Sequence, residues 1–186
     1  MAHYTGYVTL PINSYASWRT AVNNNGYDVD GYPPDQPFQC WDLTAEFWWN
    51  AGFPQGYPTL AGTGSAYGAW TDKIQNAGDQ FDLINNVSDI KVGDVIVFNY
   101  FVGNPYGHIG FADEDYNGTN TISILSQNNG AFYTNIANYS LAHFRGAFRY
   151  KAWHTTPPTP PTPTDARKRF PWVLYTRKLN EKRGGM

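Results

Sequence analysis

Cys40 is the one cysteine of this chain and the first candidate for chemistry. It lies in Gln39-Cys40-Trp41-Asp42, at the start of a run whose apolar residues recur at helical spacing. The thiolate is the reactive form of cysteine, and a helix N-terminus favours it. A lone thiol forms no intramolecular disulfide, so Cys40 either packs as a small apolar residue or acts as a nucleophile. In the second case, Gln39, Trp41 and backbone N–H groups at the helix start would face the substrate and its oxyanion.

His108, in the run Gly107-His108-Ile109-Gly110, is the candidate general base. On an alternating strand His108, Gly110 and Ala112 share one face, while Ile109 and Phe111 point to the core on the other. Neighbours this small are expected to leave the imidazole uncovered and able to reach a substrate. The alternative interpretation is an exposed surface histidine without a catalytic role.

A general base usually needs a partner that orients it. In a predicted strand over 121–128, Ser126 and Asn128 share one face. We expect Asn128 to accept from the His108 ring and to fix its tautomer. The alternative is that the polar run 126–130 is an ordinary strand end and turn.

An acidic loop precedes the cysteine. Asp28, Asp30 and Gly31 resemble the first half of a calcium loop, in which alternate positions supply carboxylates. Asp42 follows in the first turn of the Cys40 helix. There an acid could also serve only to interact with the positive end of the helix dipole. The run 33–37 looks like an insertion in such a loop. The sequence therefore predicts Ca²⁺ as a cofactor and no organic cofactor.

The elements that position these residues change character along the chain. Helices are predicted over 15–24, over 40–51 with Gly52 as its end, and more weakly over 65–77. Strands are predicted over 94–101, 108–113, 121–128 and 144–150, with a hairpin turn at Asn117-Gly118. Helices followed by an antiparallel sheet indicate the α+β class, with N-terminal helices packed on a twisted sheet.

Composition divides the chain and excludes some functions. A Pro/Thr tract over 154–164 predicts a semi-rigid linker between a domain, 1–153, and a tail, 165–186. The tail carries seven basic and two acidic residues, a net charge of +5, which leaves −7 for the remainder of a chain of net charge −2. Acidic charge argues against nucleic acid as a partner. No apolar run is long enough for a membrane span, and no secretory signal is visible.

Taken together, the motifs resemble the CHAP family, the cysteine, histidine-dependent amidohydrolases/peptidases of phage lysins and bacterial wall hydrolases. The matching segments occur in the family's order and cover roughly residues 10–152. They are Asp28-Val29-Asp30-Gly31, Gln39-Cys40-Trp41-Asp42, Val92 to Phe98, Gly107-His108-Ile109-Gly110, Ser126-Gln127-Asn128 and Gly146-Ala147-Phe148-Arg149.

The resemblance implies a papain-like fold and hydrolysis of a peptidoglycan amide bond, by an endopeptidase or an N-acetylmuramoyl-L-alanine amidase. By that analogy Cys40 is the nucleophile, His108 the base and Asn128 a further active-site residue. Many members carry a Glu two residues before that Asn, where this chain has Ser126. The implied calcium ligands are Asp28, Asp30, Asp42 and the backbone carbonyl of Tyr32.

The expected partner is peptidoglycan, held by groove aromatics such as Trp41, Tyr106 and Phe132. The tail 165–186 would dock on an anionic wall polymer or a phage tail protein. Without a signal peptide, the protein would be made in the host cytosol and act after holin release or within a virion. Two other functions stay open: a non-enzymatic structural or wall-binding module with the same fold, and an acyl transferase that uses the same pair of residues.

Overall fold

Helices come first along the chain and the main sheet follows, as predicted. The structure is a computed structural model that describes residues 1–31 and 38–155, which belong to one unit, Met1–Thr155. The helices are α1 (Tyr15–Val22), α2 (Cys40–Asn50), α3 (Gly68–Thr71), α4 (Lys73–Ala77) and α5 (Lys151–His154). The predicted linker beyond Thr155 and the tail lie outside the described residues, as does Tyr32.

Two sheets are present in the described residues. A short parallel pair joins β1 (His3–Thr5) to β2 (Gly26–Asp28). The main sheet contains β3 (Phe81–Ile84), β4 (Val95–Phe98), β5 (His108–Ala112), β6 (Thr121–Ser126), β7 (Asn135–Ser140) and β8 (Phe144–Tyr150). Its order is β3-β8-β4-β5-β6-β7, and every neighbouring pair is antiparallel. The predicted α+β class is confirmed.

Helix α2 packs on one face of this sheet. Its apolar residues Leu43 and Phe47 are fully buried, and the Phe47 ring meets the Phe111 ring edge-on at 5.2 Å between centroids. Helix α2 runs to Asn50, and Gly52 follows in a left-handed conformation (φ 92°) that glycine adopts without steric cost. The predicted end of the helix is therefore confirmed, and α2 packs against β5.

The opposite face of the sheet is covered as well. A second cluster of buried residues from β4, β5 and β6, including Phe98, Ala112 and Ile124, lies on the side away from α2. All five residues of β5 are consequently buried. This arrangement decides the surroundings of His108, which is the first residue of that strand.

Some predicted elements differ in length or number. The helix expected over 65–77 is two short helices, α3 and α4, which meet at Asp72. The Asp72 carboxylate accepts from the Ala61 N–H and the Thr59 hydroxyl, so this residue ties the loop before the helices to the break between them. Strands β1, β2, β3 and β7 were not predicted, because three or four residues carry little periodicity and β7 alternates polar residues with few apolar ones.

No helix within the described residues has the length and apolarity that a membrane crossing requires.

Candidate active site

Cys40 is the first residue of α2. Gln39 precedes the helix, and its backbone N–H donates to Asp42 Oδ2 at 2.6 Å, which closes the first turn. The next residue, Trp41, is anchored by its indole N–H, which donates to the Pro58 carbonyl at 2.7 Å. Only 9% of the Cys40 surface is exposed. The thiol thus lies at a rigid helix start at the edge of the core.

His108 opens strand β5, and two side chains enclose its ring. Tyr139 of β7 stacks on the imidazole with 4.6 Å between ring centroids and 13° between planes. His108 Nε2 lies 2.9 Å from Ser126 Oγ. The histidine is 3% exposed, so the prediction of an uncovered imidazole is wrong. Its strand neighbours Gly110 and Ala112 are small as expected, but the far strands of the sheet supply the cover.

The surroundings of Cys40 include the start of β5. The backbone N–H of Ile109, the residue after His108, is close enough to the Cys40 thiol to lower its pKa. Tyr139, which stacks on the His108 ring, is close enough to Cys40 for a thiolate charge to raise the tyrosine pKa. Because Nε2 of His108 faces Ser126, Nδ1 is the nitrogen left for the thiol.

Burial keeps both members of this pair uncharged. It raises the pKa of Cys40 from its ordinary 9.0 to about 11, and the negative charge of Asp42 acts in the same direction. Burial also lowers the pKa of His108 from 6.5 to about 3. At neutral pH the resting pair is therefore a thiol beside an imidazole, and charge separates only when the proton is transferred.

Asn128 is placed differently from the prediction. Its backbone adopts a left-handed conformation (φ 63°), which turns the side chain off the face that Ser126 occupies. The Asn128 Nδ2 group donates to Gln39 Oε1 at 2.9 Å. The expectation that Asn128 accepts from the His108 ring is therefore wrong, and Ser126 holds that position. A role of Asn128 through Gln39, beside the nucleophile, stays a prediction.

Gln127 is a residue beside the site that the sequence did not single out. Its side chain is fully buried. Gln127 Oε1 accepts from the Tyr27 N–H at 2.7 Å, and Nε2 donates to the carbonyls of Tyr27 (2.7 Å) and Gln39 (3.1 Å). One amide thus joins β2, the start of α2 and the end of β6. A signal existed, since Gln127 occupies the core-facing register of an alternating strand.

The three predicted carboxylates converge. Oxygens of Asp28, Asp30 and Asp42 lie within 4.8 Å of one another. Asp42 is buried, and its Oδ1 accepts from the Val29 N–H at 3.1 Å, so it links the acidic loop to α2. Burial, together with the charges of Asp30 and Asp28, raises the Asp42 pKa to about 7. Carboxylate oxygens crowded in this way fit a hard cation such as Ca²⁺.

The predicted substrate-facing aromatics are exposed. Tyr106 has 64% and Phe132 58% of its surface open to solvent, and Tyr106 lies just before His108 in the chain. A cleft of about 450 Å³ opens beside Tyr139 and is lined by Phe98, Phe101 and His143, among others. Tyr139 is the residue that this cleft shares with the surroundings of His108, and neither His108 nor Cys40 lines it.

The fold and the site define a papain-like α+β domain. It has a thiol at the start of a helix and an imidazole on the strand that the helix packs against. The sequence profile of the CHAP domain matches residues 27–128, a span that includes Cys40, His108 and the three carboxylates. The chain belongs to the CHAP family.

A solved endolysin structure supports the fold. The crystal structure of a wild-type endolysin, LysIME-EF1, superposes with a TM-score of 0.54 at 24% sequence identity, over 77% of this chain and 65% of that one. The crystal structure of Ly7917 gives a TM-score of 0.49 at 20% identity, over 75% of this chain and 62% of that one. This chain therefore spans less than two thirds of either relative. Comparison with curated proteins gave no match.

Proposed function

We propose that this protein is a peptidoglycan hydrolase of the phage lysin type that uses Cys40 as its nucleophile. The observation that carries the proposal is that Cys40 opens α2 and His108 opens β5, with the Ile109 N–H of that strand near enough to the thiol to lower its pKa. Membership of the CHAP family and the endolysin-like fold support a cell-wall substrate. The bond cleaved is an amide, by endopeptidase or N-acetylmuramoyl-L-alanine amidase action.

The reaction begins with transfer of the Cys40 proton to His108 Nδ1. The sulfur then attacks the amide carbonyl carbon, and the resulting oxyanion accepts from N–H groups at the start of α2. His108 returns its proton to the leaving nitrogen as the C–N bond breaks, which leaves a thioester on Cys40. Water gives a proton to His108 as it attacks the thioester carbonyl, the C–S bond breaks to release the acid, and His108 returns its proton to the Cys40 sulfur. Atoms and protons balance over the cycle.

Calcium is the proposed cofactor. Asp28, Asp30 and Asp42 would hold it, and the predicted Tyr32 carbonyl ligand lies outside the described residues. The ion would supply positive charge that holds Asp42 ionised and offsets its effect on the Cys40 pKa. In this chain's own residues, Gln127 and Asp42 connect the acidic loop to the helix that bears the nucleophile.

The proposed substrate is peptidoglycan, and the exposed aromatic rings of Tyr106 and Phe132 would contact it. We also propose that the basic segment 165–186 docks the domain on an anionic wall polymer or on a phage tail protein. Either an endolysin released by a holin or a lysin carried in a virion fits this proposal.

The test is release of muropeptides from purified Gram-positive cell walls, followed by mass spectrometry. The wild-type protein should release fragments, and Cys40→Ala should abolish release while the circular dichroism spectrum is retained. Thr20→Ala, an exposed position on α1, is the matched control and should retain full activity. Activity in Cys40→Ala would overturn the cysteine mechanism, and the fragments that the wild type releases would name the bond.

A binding module without catalysis is the second candidate. The observation in its favour is that His108 contacts Ser126, a neutral group, rather than an acid. Wall binding in a sedimentation assay, with no muropeptide released by the wild type at any pH between 5 and 9, would favour it. An acyl transferase would instead yield products in which the acyl group is joined to an added amine.

A further inference from the structure

Ser126 is the centre of a hydrogen-bonded group that encloses the His108 ring. Ser126 Oγ contacts His108 Nε2 at 2.9 Å and also accepts from Asn129 Nδ2. Asn129 Oδ1 in turn accepts from the Tyr139 hydroxyl. The Tyr139 ring stacks on His108 itself. Ser126, Asn129 and Tyr139 are therefore linked by hydrogen bonds, and the first and last of them contact the imidazole.

These three side chains come from two strands and the loop between them. Ser126 ends β6, Asn129 lies in the loop and Tyr139 lies on β7, which pairs with β6 along its whole length. Ser126 is fully buried. Because its partners are fixed by sheet pairing on one side and by stacking on the other, the hydroxyl has a defined position relative to His108.

Space for this contact depends on Gly110. The residue lies between His108 and Ala112 on β5, beside Ser126 on β6. A Cβ atom at position 110 would meet Ser126 Cβ at 2.6 Å, closer than real side chains approach. The missing side chain is therefore what allows the serine to reach along the strand to the histidine.

We propose that Ser126, Asn129 and Tyr139 are positioning residues that hold His108 with its proton on Nε2, where it donates to Ser126 Oγ. Nδ1 is then an acceptor and can take the proton of Cys40. This inference rests on the proposed cysteine mechanism for its catalytic consequence. Its structural part, the tautomer and the orientation of the ring, can be measured without any substrate.

A neutral network suits the surroundings of this histidine. Its recorded partners are uncharged: the Ser126 hydroxyl and the Tyr139 ring contact the imidazole, and the Asn129 amide bonds to both of them. A carboxylate buried there would carry a desolvation cost. Hydroxyl and amide groups orient the imidazole without that cost, although they provide less stabilisation of the imidazolium that forms during the reaction. Orientation rather than charge is therefore the proposed contribution.

The first measurement is ¹⁵N NMR of the full-length protein labelled at histidine. His108 should show a protonated Nε2 and an unprotonated Nδ1 at pH 7, and Ser126→Ala should change it to a mixture of tautomers. Ser123→Ala is the matched control, since Ser123 lies on the same strand and bonds to Asn138 instead. Its spectrum should match the wild type. A wild-type His108 with its proton on Nδ1 would overturn the proposal.

The second measurement is steady-state kinetics of muropeptide release. We expect Ser126→Ala to lower kcat by about 10- to 100-fold with little change in KM, because an unoriented base affects proton transfer rather than binding. Tyr139→Phe keeps the stacked ring but loses the hydrogen bond to Asn129, and should give a smaller loss in kcat. Ser126→Thr, which keeps the hydroxyl, should recover part of it.

The two measurements separate the possible failures. If the wild type releases no muropeptides but shows the expected tautomer, the proposed function fails and the positioning network stands. If wild-type activity is present and Ser126→Ala retains kcat within twofold, the network does not position the base and this inference is wrong. Should Ser126→Ala misfold, the wild-type tautomer still decides.

Discussion

The ring of Tyr139 lies flat on the ring of His108, at 4.6 Å between centroids. The two residues are 31 positions apart and come from strands that do not pair directly, since β6 lies between β5 and β7. This contact explains why the histidine is buried and why its pKa falls to about 3. The base of the proposed reaction is therefore neutral at pH 7.

The reactivity of Cys40 should report a neutral thiol. With calcium removed, we expect the rate of iodoacetamide alkylation to rise with pH toward about 11, because burial raises the Cys40 pKa to that value. The same protein unfolded in urea is a matched control, since its single thiol should titrate near the ordinary 9.0. A rate that is already constant between pH 5 and 8 would indicate a preformed thiolate–imidazolium pair and would contradict this prediction.

Calcium should stabilise the protein more at alkaline than at acid pH. The folded-state pKa of Asp42 is raised to about 7, so without a cation the contribution of Asp42 to stability is fully present below its ordinary pKa of 3.8 and is lost as pH rises through 7. Calcium binds the ionised form and reverses this loss. At 100 times its Kd it should contribute about 2.7 kcal/mol, or roughly 5–10 °C in Tm.

Differential scanning fluorimetry at pH 5 and pH 8, with calcium or EDTA, measures this difference. Asp30→Asn should reduce the calcium response, whereas Asp79→Asn, an exposed acid outside the cluster, should leave it intact. An equal Tm with and without calcium at pH 8 would show that calcium does not stabilise the folded protein and would contradict this prediction.

Glu46 should make stability depend on pH independently of the cation. This α2 residue is fully buried, its Oε1 accepts from the Val8 N–H, and its Oε2 has no hydrogen-bond partner among the described residues. Burial raises its pKa from 4.5 to about 7, so its contribution is present below pH 4.5 and lost as pH rises through 7.

Glu46→Gln removes that titration. We expect the Tm of Glu46→Gln relative to wild type to increase between pH 5 and pH 8, by an amount that corresponds to about 3 kcal/mol at most. Glu114→Gln, the same change at a half-buried site, is the control. A constant difference in Tm between Glu46→Gln and wild type across this range would show that Glu46 is already ionised at pH 5.

Gly110→Ala should disturb both stability and activity. The added methyl group would overlap Ser126 Cβ at 2.6 Å and lie 3.0 Å from the Leu125 carbonyl oxygen, so β5 and β6 must separate locally. We expect a loss of about 1–3 kcal/mol in urea unfolding and a marked fall in muropeptide release. The double variant Gly110→Ala/Ser126→Gly relieves the closest contact and should regain stability but not activity. Recovery of both would mean that Ser126 has no part in the reaction.

Much of this protein is determined by sequence alone. The helix that starts at Cys40 and ends before Gly52, the buried strand after Gly93 and the strand that begins at His108 are local patterns, in which neighbouring residues specify their own backbone. The order of helices and strands defines the α+β class. The convergence of Asp28, Asp30 and Asp42 was also predictable, because all three fall within one loop and the helix turn that follows it.

The surroundings of the histidine were decided only by tertiary structure. Strand periodicity places His108 on a face with small neighbours. It does not show which side chains of a distant strand cover that face. The left-handed turn at Asn128 redirects its side chain to Gln39, and the space at Gly110 admits Ser126. Both depend on contacts between β5, β6 and β7. Sequence therefore singled out the candidate nucleophile and the candidate base, and the packing of the sheet decided which residues contact that base.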